Sequence, residues 1–142
     1  MSDIVVDASV ALKWFVTEAD SVVADELSAS NNRLFAPRLI LTEVASALAR
    51  KAIAQLISAQ EARMYVRSLP QYFDGLFAVD ELIEPALENA IALRHPIYDL
   101  IYVEAARRLD APLVTADRRP ITKIADTGFA RHVALLSDWR SD

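Results

Sequence analysis

The sequence predicts an α/β fold in which a central, mostly parallel sheet lies between layers of helices. Short runs of β-preferring apolar residues alternate with longer stretches of helical periodicity along the chain. The hydrophobic fraction is 54% and there are only 2 glycines, which favours a helix-rich globule over a disordered chain or a turn-rich β sandwich. Because no linker, repeat or low-complexity segment interrupts it, we expect residues 1–142 to form a single domain.

The predicted strands are short and apolar, and they span residues 4–6, 34–36, 76–79, 112–115 and 133–136. The predicted helices lie between the strands, at residues 9–16, 20–29, 37–55, 58–69, 83–93 and 99–109. Pro37 suits a first helical position, where its missing N–H would have had no partner. Ser58 and Glu61 have the spacing of a capping box. Strands that alternate with helices imply βαβ units and a parallel sheet.

Composition excludes several kinds of chemistry. The chain has no cysteine, which rules out disulfides, thiol catalysis and cysteine-ligated zinc. His95 and His132 are far apart in sequence, and we expect each to cap a helix end or to lie on the surface. No run reaches the ~18 apolar residues of a membrane span, and the N-terminus lacks the basic start of a secretory signal. We therefore expect a cytoplasmic protein with no membrane contact.

The formal net charge of −5 does not by itself decide the partner. An evenly acidic surface would argue against nucleic acid. Several of the acids, however, could be held together around a cation, which would leave the rest of the surface less negative. Basic residues also occur in adjacent pairs: Arg50 with Lys51, Arg107 with Arg108, and Arg118 with Arg119.

Two predicted strands end in a hydroxyl residue and an acid. Asp7 follows the first strand and precedes Ser9, while Asp117 follows Thr115 at the end of the fourth strand. If both are parallel strands of one sheet, the two acids emerge at the edge where ligands of open α/β sheets bind. Each aspartate could equally be a helix N-cap or a turn residue.

Glu43 lies on an apolar stretch of predicted helix. Its neighbours at three and four positions include no lysine or arginine: Leu39, Ile40, Ser46 and Ala47. Residues 37–56 are apolar around most of the helix, which predicts a buried element in which an unpaired carboxylate is costly. A bound cation would remove that cost. The alternative is a glutamate that faces solvent on an imperfectly amphipathic helix.

Asp99 lies at the start of the predicted helix that follows Pro96, so helix N-capping would by itself account for it. Its helical face continues through Tyr102 and Val103. Glu104 is five positions on and points roughly 140° away at 100° per residue, so we leave it outside the candidate site.

Asp7, Glu43, Asp99 and Asp117 together suit a hard divalent ion, Mg²⁺ or Mn²⁺, that prefers oxygen ligands and keeps several waters. Such an ion lowers the pKa of a bound water and stabilises a leaving oxygen, which suggests phosphodiester hydrolysis. Ser9 and Thr115 could position a water or a phosphate oxygen, or they could be local turn hydroxyls.

Four segments together resemble the PIN domain, and specifically the VapC-type toxins of bacterial toxin–antitoxin pairs. The segments are VVDAS at Asp7, LTEVASAL at Glu43, YDLIYVEAA at Asp99 and LVTAD at Asp117. No single segment is specific, but all four occur in the family's order and with family-like spacing across essentially the whole chain. The chain departs from the family at Asp110, where glycine often stands, and at Pro120, where an apolar or aromatic residue often follows the last acid.

The resemblance implies a PIN-like three-layer sandwich and an endoribonuclease that depends on Mg²⁺ or Mn²⁺ and cleaves, for example, tRNA or rRNA. It also implies a homodimer and a cognate VapB-like antitoxin whose tail covers the acidic site. Four aromatic side chains could form the dimer interface or could equally close the domain's own core: Tyr65, Tyr72, Phe73 and Phe77.

The resemblance also carries over to individual residues. Asp7, Glu43, Asp99 and Asp117 match the family's acidic quartet, and Ser9 and Thr115 match the accompanying hydroxyls. We expect Asp7, Asp99 and Asp117 to hold the metal directly or through water, and Glu43 to orient or deprotonate the attacking water. Arg118 and Arg119 are candidates for phosphate contact because guanidinium groups match phosphate oxygens, although they could be a solvated basic pair.

Two other classes of domain place acids at strand ends and use Mg²⁺. A receiver-like signalling domain usually has paired acids after its first strand and a lysine after its last, whereas this chain has Asp7 alone and no lysine after residues 133–136. A phosphatase with an aspartyl nucleophile would prefer a second acid where this chain has Ser9. A third alternative is a non-catalytic PIN-like scaffold that binds RNA or a partner protein.

Overall fold

The computed structural model describes residues 1–141 and has the α/β architecture that the sequence predicts. The strands are β1 (Asp3–Val6), β2 (Arg33–Pro37), β3 (Gly75–Phe77), β4 (Leu113–Thr115) and β5 (Val133–Leu135). The helices are α1 (Ala8–Ala11), α2 (Ser21–Ser28), α3 (Leu39–Ile53), α4 (Ala59–Ser68), α5 (Asp80–Leu93), α6 (Ile97–Leu109) and α7 (Arg118–Ile124). Short 3₁₀ turns occur at Leu12–Trp14, Leu69–Tyr72, Ala130–His132 and Leu136–Asp138.

The five strands form one parallel sheet in the order β3-β2-β1-β4-β5. β1 lies at the centre, where Val5 is paired with Leu113 and Val6 with Val114 of β4. The chain runs outward from β1 through β2 and β3, and it then returns to place β4 on the other side of β1. A crevice opens at such a reversal of strand order, beyond the carboxyl ends of the two strands. The ends of the first and fourth strands therefore meet at this crevice.

Side chains of β1 alternate between two cores, one on each face of the sheet. Val5 belongs to the larger core, which contains Ile40 of α3 and Leu100 of α6. Val6 belongs to the smaller core, where Leu27 of α2 covers the opposite face. Because both faces are covered, the strands consist almost entirely of apolar residues, as parallel strands do. The predicted three-layer sandwich is thus confirmed.

Two expectations about the third helix are wrong. Pro37 ends β2 instead of beginning the helix, because the next N–H, that of Arg38, continues the ladder by donating to the Phe77 carbonyl at 2.8 Å. The helix is also not buried all round. It packs Val44 and neighbouring apolar residues into the core on one face, whereas Ile53 at its end is 82% exposed.

Other element boundaries also differ from the predictions. The first helix is short and passes into a 3₁₀ turn at residue 12. Helix α5 starts three residues earlier than expected and contains Pro85, which has no N–H to offer the Glu81 carbonyl one turn before it. Arg108 supplies the missing donor, since its guanidinium reaches the Glu81 oxygen at 2.6 Å. A contact from α6 therefore permits a proline inside α5.

Helix α7 follows Asp117, which the sequence allowed as a helix N-cap without predicting the extent of a helix there. Arg118, Arg119 and Pro120 form its first turn, and Pro120 is buried at the third helical position. Asp110, the other departure from the family pattern, ends α6 with φ of 49°, in the left-handed region that favours glycine. Aspartate tolerates this conformation better than most residues, so the turn keeps its geometry without glycine.

The four mid-chain aromatic residues pack within the domain. Tyr72 stacks on Trp14 with ring centroids 4.5 Å apart, and Tyr65 stacks on Phe15 at 5.1 Å. Phe73 also contacts Trp14, and Phe77 lies against Phe35 of the neighbouring strand. These contacts help to close the domain's own core. Within residues 1–141, no helix is both long enough and apolar enough to cross a membrane.

Candidate active site

Asp7 lies at the carboxyl end of β1 and caps α1. Its Oδ2 accepts the Ser9 N–H at 3.2 Å, the Ser9 hydroxyl, and the Thr115 hydroxyl at 3.0 Å. The capping role that the sequence left open is therefore real. It coexists with the position at the sheet crevice, because the strand ends where the helix begins.

Ser9 and Thr115 join the loops that follow β1 and β4. The Ser9 Oγ accepts the N–H of Ala116 at 3.0 Å, and the Thr115 Oγ1 accepts the N–H of Asp117 at 3.1 Å. The two hydroxyl oxygens are themselves 3.3 Å apart. Both side chains thus do more than complete local turns, since they hold the Asp7 carboxylate and fix the backbone that leads to Asp117.

Glu43 reaches the crevice from α3, and its partner is neutral. The Tyr102 hydroxyl on α6 donates to Glu43 Oε1 at 2.7 Å. Tyr102 is only 1% exposed, while Glu43 is half-buried. The alternative in which Glu43 faces solvent on a helix surface does not apply, because its carboxylate lies against a buried phenol and near two other acids.

Three of the four acids act on one another electrostatically. Burial raises the pKa of the Asp7 carboxyl, and the negative charge of Asp99 raises it further against the opposing hydrogen bonds from Ser9 and Thr115. Burial also raises the pKa of Glu43, and the charges of Asp7 and Asp99 add to the rise, whereas the Tyr102 hydrogen bond opposes it. The crevice therefore gathers more negative charge than the protein neutralises.

Asp99 is not the N-cap of α6. The helix begins at Ile97 with Pro96 in the capping position, so Asp99 lies inside the first turn. The ring of His95 donates from Nε2 to Asp99 Oδ2 at 2.6 Å.

The histidines do not lie on the surface, because the His95 side chain is 9% exposed and His132 is also buried. His95 does lie at a helix end, where its N–H donates to the Ala90 carbonyl of α5 at 3.1 Å. The spacing of four residues between His95 and Asp99 could have indicated the contact between their side chains from the sequence, but the intervening Pro96 obscured it.

Asp117 is held by the chain's own arginine. It caps α7 by accepting the Arg119 N–H at 2.9 Å, and the Arg119 guanidinium donates to both carboxylate oxygens, at 3.1 Å from Nε and 2.7 Å from the terminal nitrogen. These hydrogen bonds from Arg119 lower the pKa of the Asp117 carboxyl. Arg118, Arg119 and Lys123 line an open concavity on α7 beside this acid.

Glu104 lies outside the acidic crevice, in agreement with the prediction. Arg107 donates to it at 2.6 Å and Arg108 at 3.3 Å. The hydrogen bonds from Arg107 lower the pKa of the Glu104 carboxyl. The charge of Glu104 is therefore neutralised within α6.

The donor set of the crevice fits a hard divalent ion. Asp7, Glu43 and Asp99 supply carboxylate oxygens, and their mutual repulsion is what a cation would relieve. Among residues 1–141, no three acidic or histidine side chains are arranged to ligate one ion directly. This agrees with the usual habit of Mg²⁺, which is bound through one or two carboxylates and retains several waters.

Comparisons with known proteins agree with the fold and the motifs. The PIN domain family profile matches residues 4–127. Ribonuclease VapC1 of Mycobacterium tuberculosis is 31% identical over 121 residues, which cover 84% of this chain and 89% of that protein. VapC ribonuclease Mb0985 of Mycobacterium bovis and ribonuclease VapC9 of M. tuberculosis are each 34% identical over 128 residues, which cover 90% and 93%.

A solved structure supports the same fold. PAE2754 from Pyrobaculum aerophilum superposes with a TM-score of 0.66 and 20% identity, and the match covers 96% of this chain and 90% of that one. The profile match and the identity over most of both chains place the sequence in one family. The chain belongs to the PIN domain family, among the VapC proteins.

Proposed function

We propose that the chain is a divalent-metal-dependent endoribonuclease and the toxin of a toxin–antitoxin pair. One observation carries the proposal: Asp7, with its pKa raised by burial and by Asp99, lies at the crevice between β1 and β4, and no cationic side chain among residues 1–141 forms a salt bridge with it. The relatives named as VapC ribonucleases support RNA as the substrate. A receiver-like domain and a phosphatase are not favoured, because the chain belongs to a different family.

Asp7, Asp99 and Asp117 would hold Mg²⁺ or Mn²⁺, directly or through waters. When bound, such an ion lowers the pKa of a water and stabilises negative charge on the phosphate and the leaving oxygen. Glu43 would orient the attacking water and accept its proton, a role to which its raised pKa suits it better than an ordinary carboxylate.

The other polar residues have supporting roles. Ser9 and Thr115 keep the Asp7 carboxylate in one orientation through their hydroxyl groups. Arg118 and Arg119 are candidate phosphate contacts, since both are exposed beside Asp117. In this scheme Arg119 moves its guanidinium from Asp117 to a phosphate oxygen when RNA is bound. Lys123 on the same concavity extends the basic surface.

The names of the relatives also suggest the partners. A VapB-like antitoxin would cover the acidic crevice and block access of RNA, which is tRNA or rRNA in this proposal. The protein would act as a homodimer. Light scattering across a concentration series tests the last point, and a strict monomer at the highest concentration would count against it.

Titration of Mn²⁺ into the wild type and Asp7→Asn, with RNA cleavage as the readout, tests the core of the proposal. We expect the wild type to cleave RNA only when the metal is present and Asp7→Asn to lose cleavage. Undiminished cleavage by Asp7→Asn would reject the site assignment. RNA binding without cleavage by the wild type, at every metal concentration, would favour the non-catalytic scaffold.

A further inference from the structure

Tyr102 connects the two helices that carry Asp99 and Glu43. It lies on α6, three residues after Asp99, and its side chain is 1% exposed. Its hydroxyl crosses to α3 and donates to Glu43 Oε1 at 2.7 Å. The proposed reaction gives this hydroxyl no role, although it is the group that donates a hydrogen bond to Glu43, the proposed base.

We infer that Tyr102 is a positioning residue of the site, whose hydroxyl holds Oε1 of Glu43 and leaves Oε2 to meet the attacking water. The inference rests on the proposed function, because it assigns a role within that reaction. No hydrogen bond from residues 1–141 reaches Oε2 of Glu43. One oxygen of the carboxylate is therefore fixed and the other is available to accept a proton.

A buried phenol suits this role for three reasons. Burial raises the pKa of Tyr102 well above its ordinary value, so the hydroxyl stays protonated and can only donate to Glu43. The phenol is neutral, so it orients the carboxylate without forming an ion pair that would suppress its basicity. The neighbouring residues of α6 are buried as well, which restrains the ring to one position.

A purely structural role would also place the Tyr102 hydroxyl on an acceptor, because buried phenols usually find a hydrogen-bond partner. The two roles predict different effects when the hydroxyl alone is removed. Loss of a structural hydrogen bond lowers stability, whereas loss of a positioning contact lowers kcat through Glu43.

Tyr102→Phe removes the hydroxyl and keeps the ring. The matched control is Tyr65→Phe, which deletes a hydroxyl that donates to Glu61 at 3.4 Å on α4, outside the crevice. With RNA and Mn²⁺, we expect Tyr102→Phe to lower kcat by about 10- to 100-fold, as loss of a supporting contact typically does, with KM unchanged. Tyr65→Phe should keep the wild-type kcat.

A double-mutant cycle tests whether Tyr102 acts through Glu43. If it does, Tyr102→Phe combined with Glu43→Gln should be no slower than Glu43→Gln alone. Additive losses in the double variant would overturn the inference, and so would an unchanged kcat in Tyr102→Phe. A fall in thermal stability without a change in kcat would identify the structural role.

Carbon-13 NMR of the metal-free protein at fixed pH gives a readout that does not depend on cleavage. The Glu43 carboxyl resonance, assigned by its loss in Glu43→Gln, should move in Tyr102→Phe and stay in place in Tyr65→Phe. An unmoved resonance would also overturn the inference. If the wild type fails to cleave RNA, the proposed function is rejected, while the resonance still reports whether Tyr102 holds Glu43.

Discussion

Asp7 serves the fold and the site with the same carboxylate. As a cap it accepts the Ser9 N–H at the start of α1, a contact that stabilises the helix. As a buried acid beside Asp99 it has a raised pKa, which means that its charged form costs folding free energy near neutral pH. The negative charge of Asp7, which a bound metal would require, therefore destabilises the metal-free protein.

Replacement of Asp7 by asparagine separates these two effects. Asparagine is as good a helix cap as aspartate, but it carries no charge to desolvate or to repel Asp99. We predict that Asp7→Asn raises the Tm at pH 7 to 8 while it abolishes metal-dependent cleavage. Thermal unfolding monitored by circular dichroism, together with the RNA assay, measures both outcomes.

The pH dependence provides the control for this prediction. An acid whose pKa is raised on folding destabilises the fold above that pKa, and the cost disappears as the pH falls through it. Protonation of Asp7, as the pH falls towards the ordinary range of a carboxyl group, should therefore narrow the difference in Tm between wild type and Asp7→Asn. A difference that widens as the pH falls would contradict the assignment.

Glu43 allows a quantitative prediction for catalysis. Glutamine keeps the acceptor oxygen that Tyr102 needs, but it cannot accept a proton from water. We predict that Glu43→Gln lowers kcat by about 10²- to 10⁴-fold, the usual contribution of a general base. Metal binding, measured by isothermal titration calorimetry, should persist in this variant, and its complete loss would assign Glu43 to the metal instead.

The sequence was informative about the acids and only partly informative about their neighbours. Asp7 and Asp117 follow recognisable strands, and Glu43 lies among apolar residues, so each could be found by its local pattern. Some partners are local, since Ser9 and Arg119 each lie two residues from the aspartate that they contact. Other partners come from tertiary structure: Tyr102 meets Glu43 across 59 residues, and Thr115 meets Asp7 across 108. No local pattern encodes these long-range contacts.

At the scale of elements, α7 concentrates positive charge beside the acidic crevice. Arg118, Arg119 and Lys123 line one concavity of this helix, although the chain as a whole is acidic. Such a surface is suited to contact the backbone phosphates of an RNA strand that enters the crevice. The electrostatic contribution of each contact is measurable through the salt dependence of binding.

We predict that Arg118→Ala and Lys123→Ala each reduce the salt dependence of RNA binding. Loss of one phosphate contact lowers the slope of log affinity against log salt by about 1. Fluorescence anisotropy in a Glu43→Gln background measures binding without cleavage. Arg63→Ala, an exposed change on α4, is the control and should leave the slope unchanged. Equal slopes for the wild type and all three variants would show that α7 does not contact RNA.

The N-terminus of α4 has the capping box that the sequence predicts. Ser58 accepts the Glu61 N–H at 3.0 Å, and Glu61 accepts the Ser58 N–H at 2.9 Å, which completes the capping box. We predict that Ser58→Ala lowers the free energy of unfolding by about 1 kcal/mol in urea denaturation. Ser46→Ala on the exposed face of α3 should change it by less than about 0.5 kcal/mol.

Helices and strands were predictable wherever the hydrophobic periodicity was strong. Their first and last residues depended on contacts with other elements. Pro37 looked like a helix start, yet the position of Phe77 on the adjacent strand extends β2 to include it. Pro85 lies inside the predicted helix, and Arg108 from α6 satisfies the carbonyl that it leaves free. In both cases a residue distant in sequence decided the local structure.

At the scale of the whole molecule, metal binding should stabilise the fold. A ligand that binds only the folded state at 100 times its Kd stabilises it by about 2.7 kcal/mol. We predict that Mn²⁺ raises the Tm of the wild type by several degrees and that EDTA reverses the increase. Asp7→Asn should show no increase, and a Tm insensitive to Mn²⁺ in the wild type would contradict metal binding in the crevice.

The contact between Asp7 and Thr115 joins residues 108 positions apart. During synthesis the first acid leaves the ribosome long before the strand that completes its surroundings, and contacts of such high sequence separation form late in folding. A nascent or truncated chain that lacks β4 has neither Thr115 nor Asp117 to complete the site. For a protein that would degrade RNA, this topology delays completion of the site until β4 has been made.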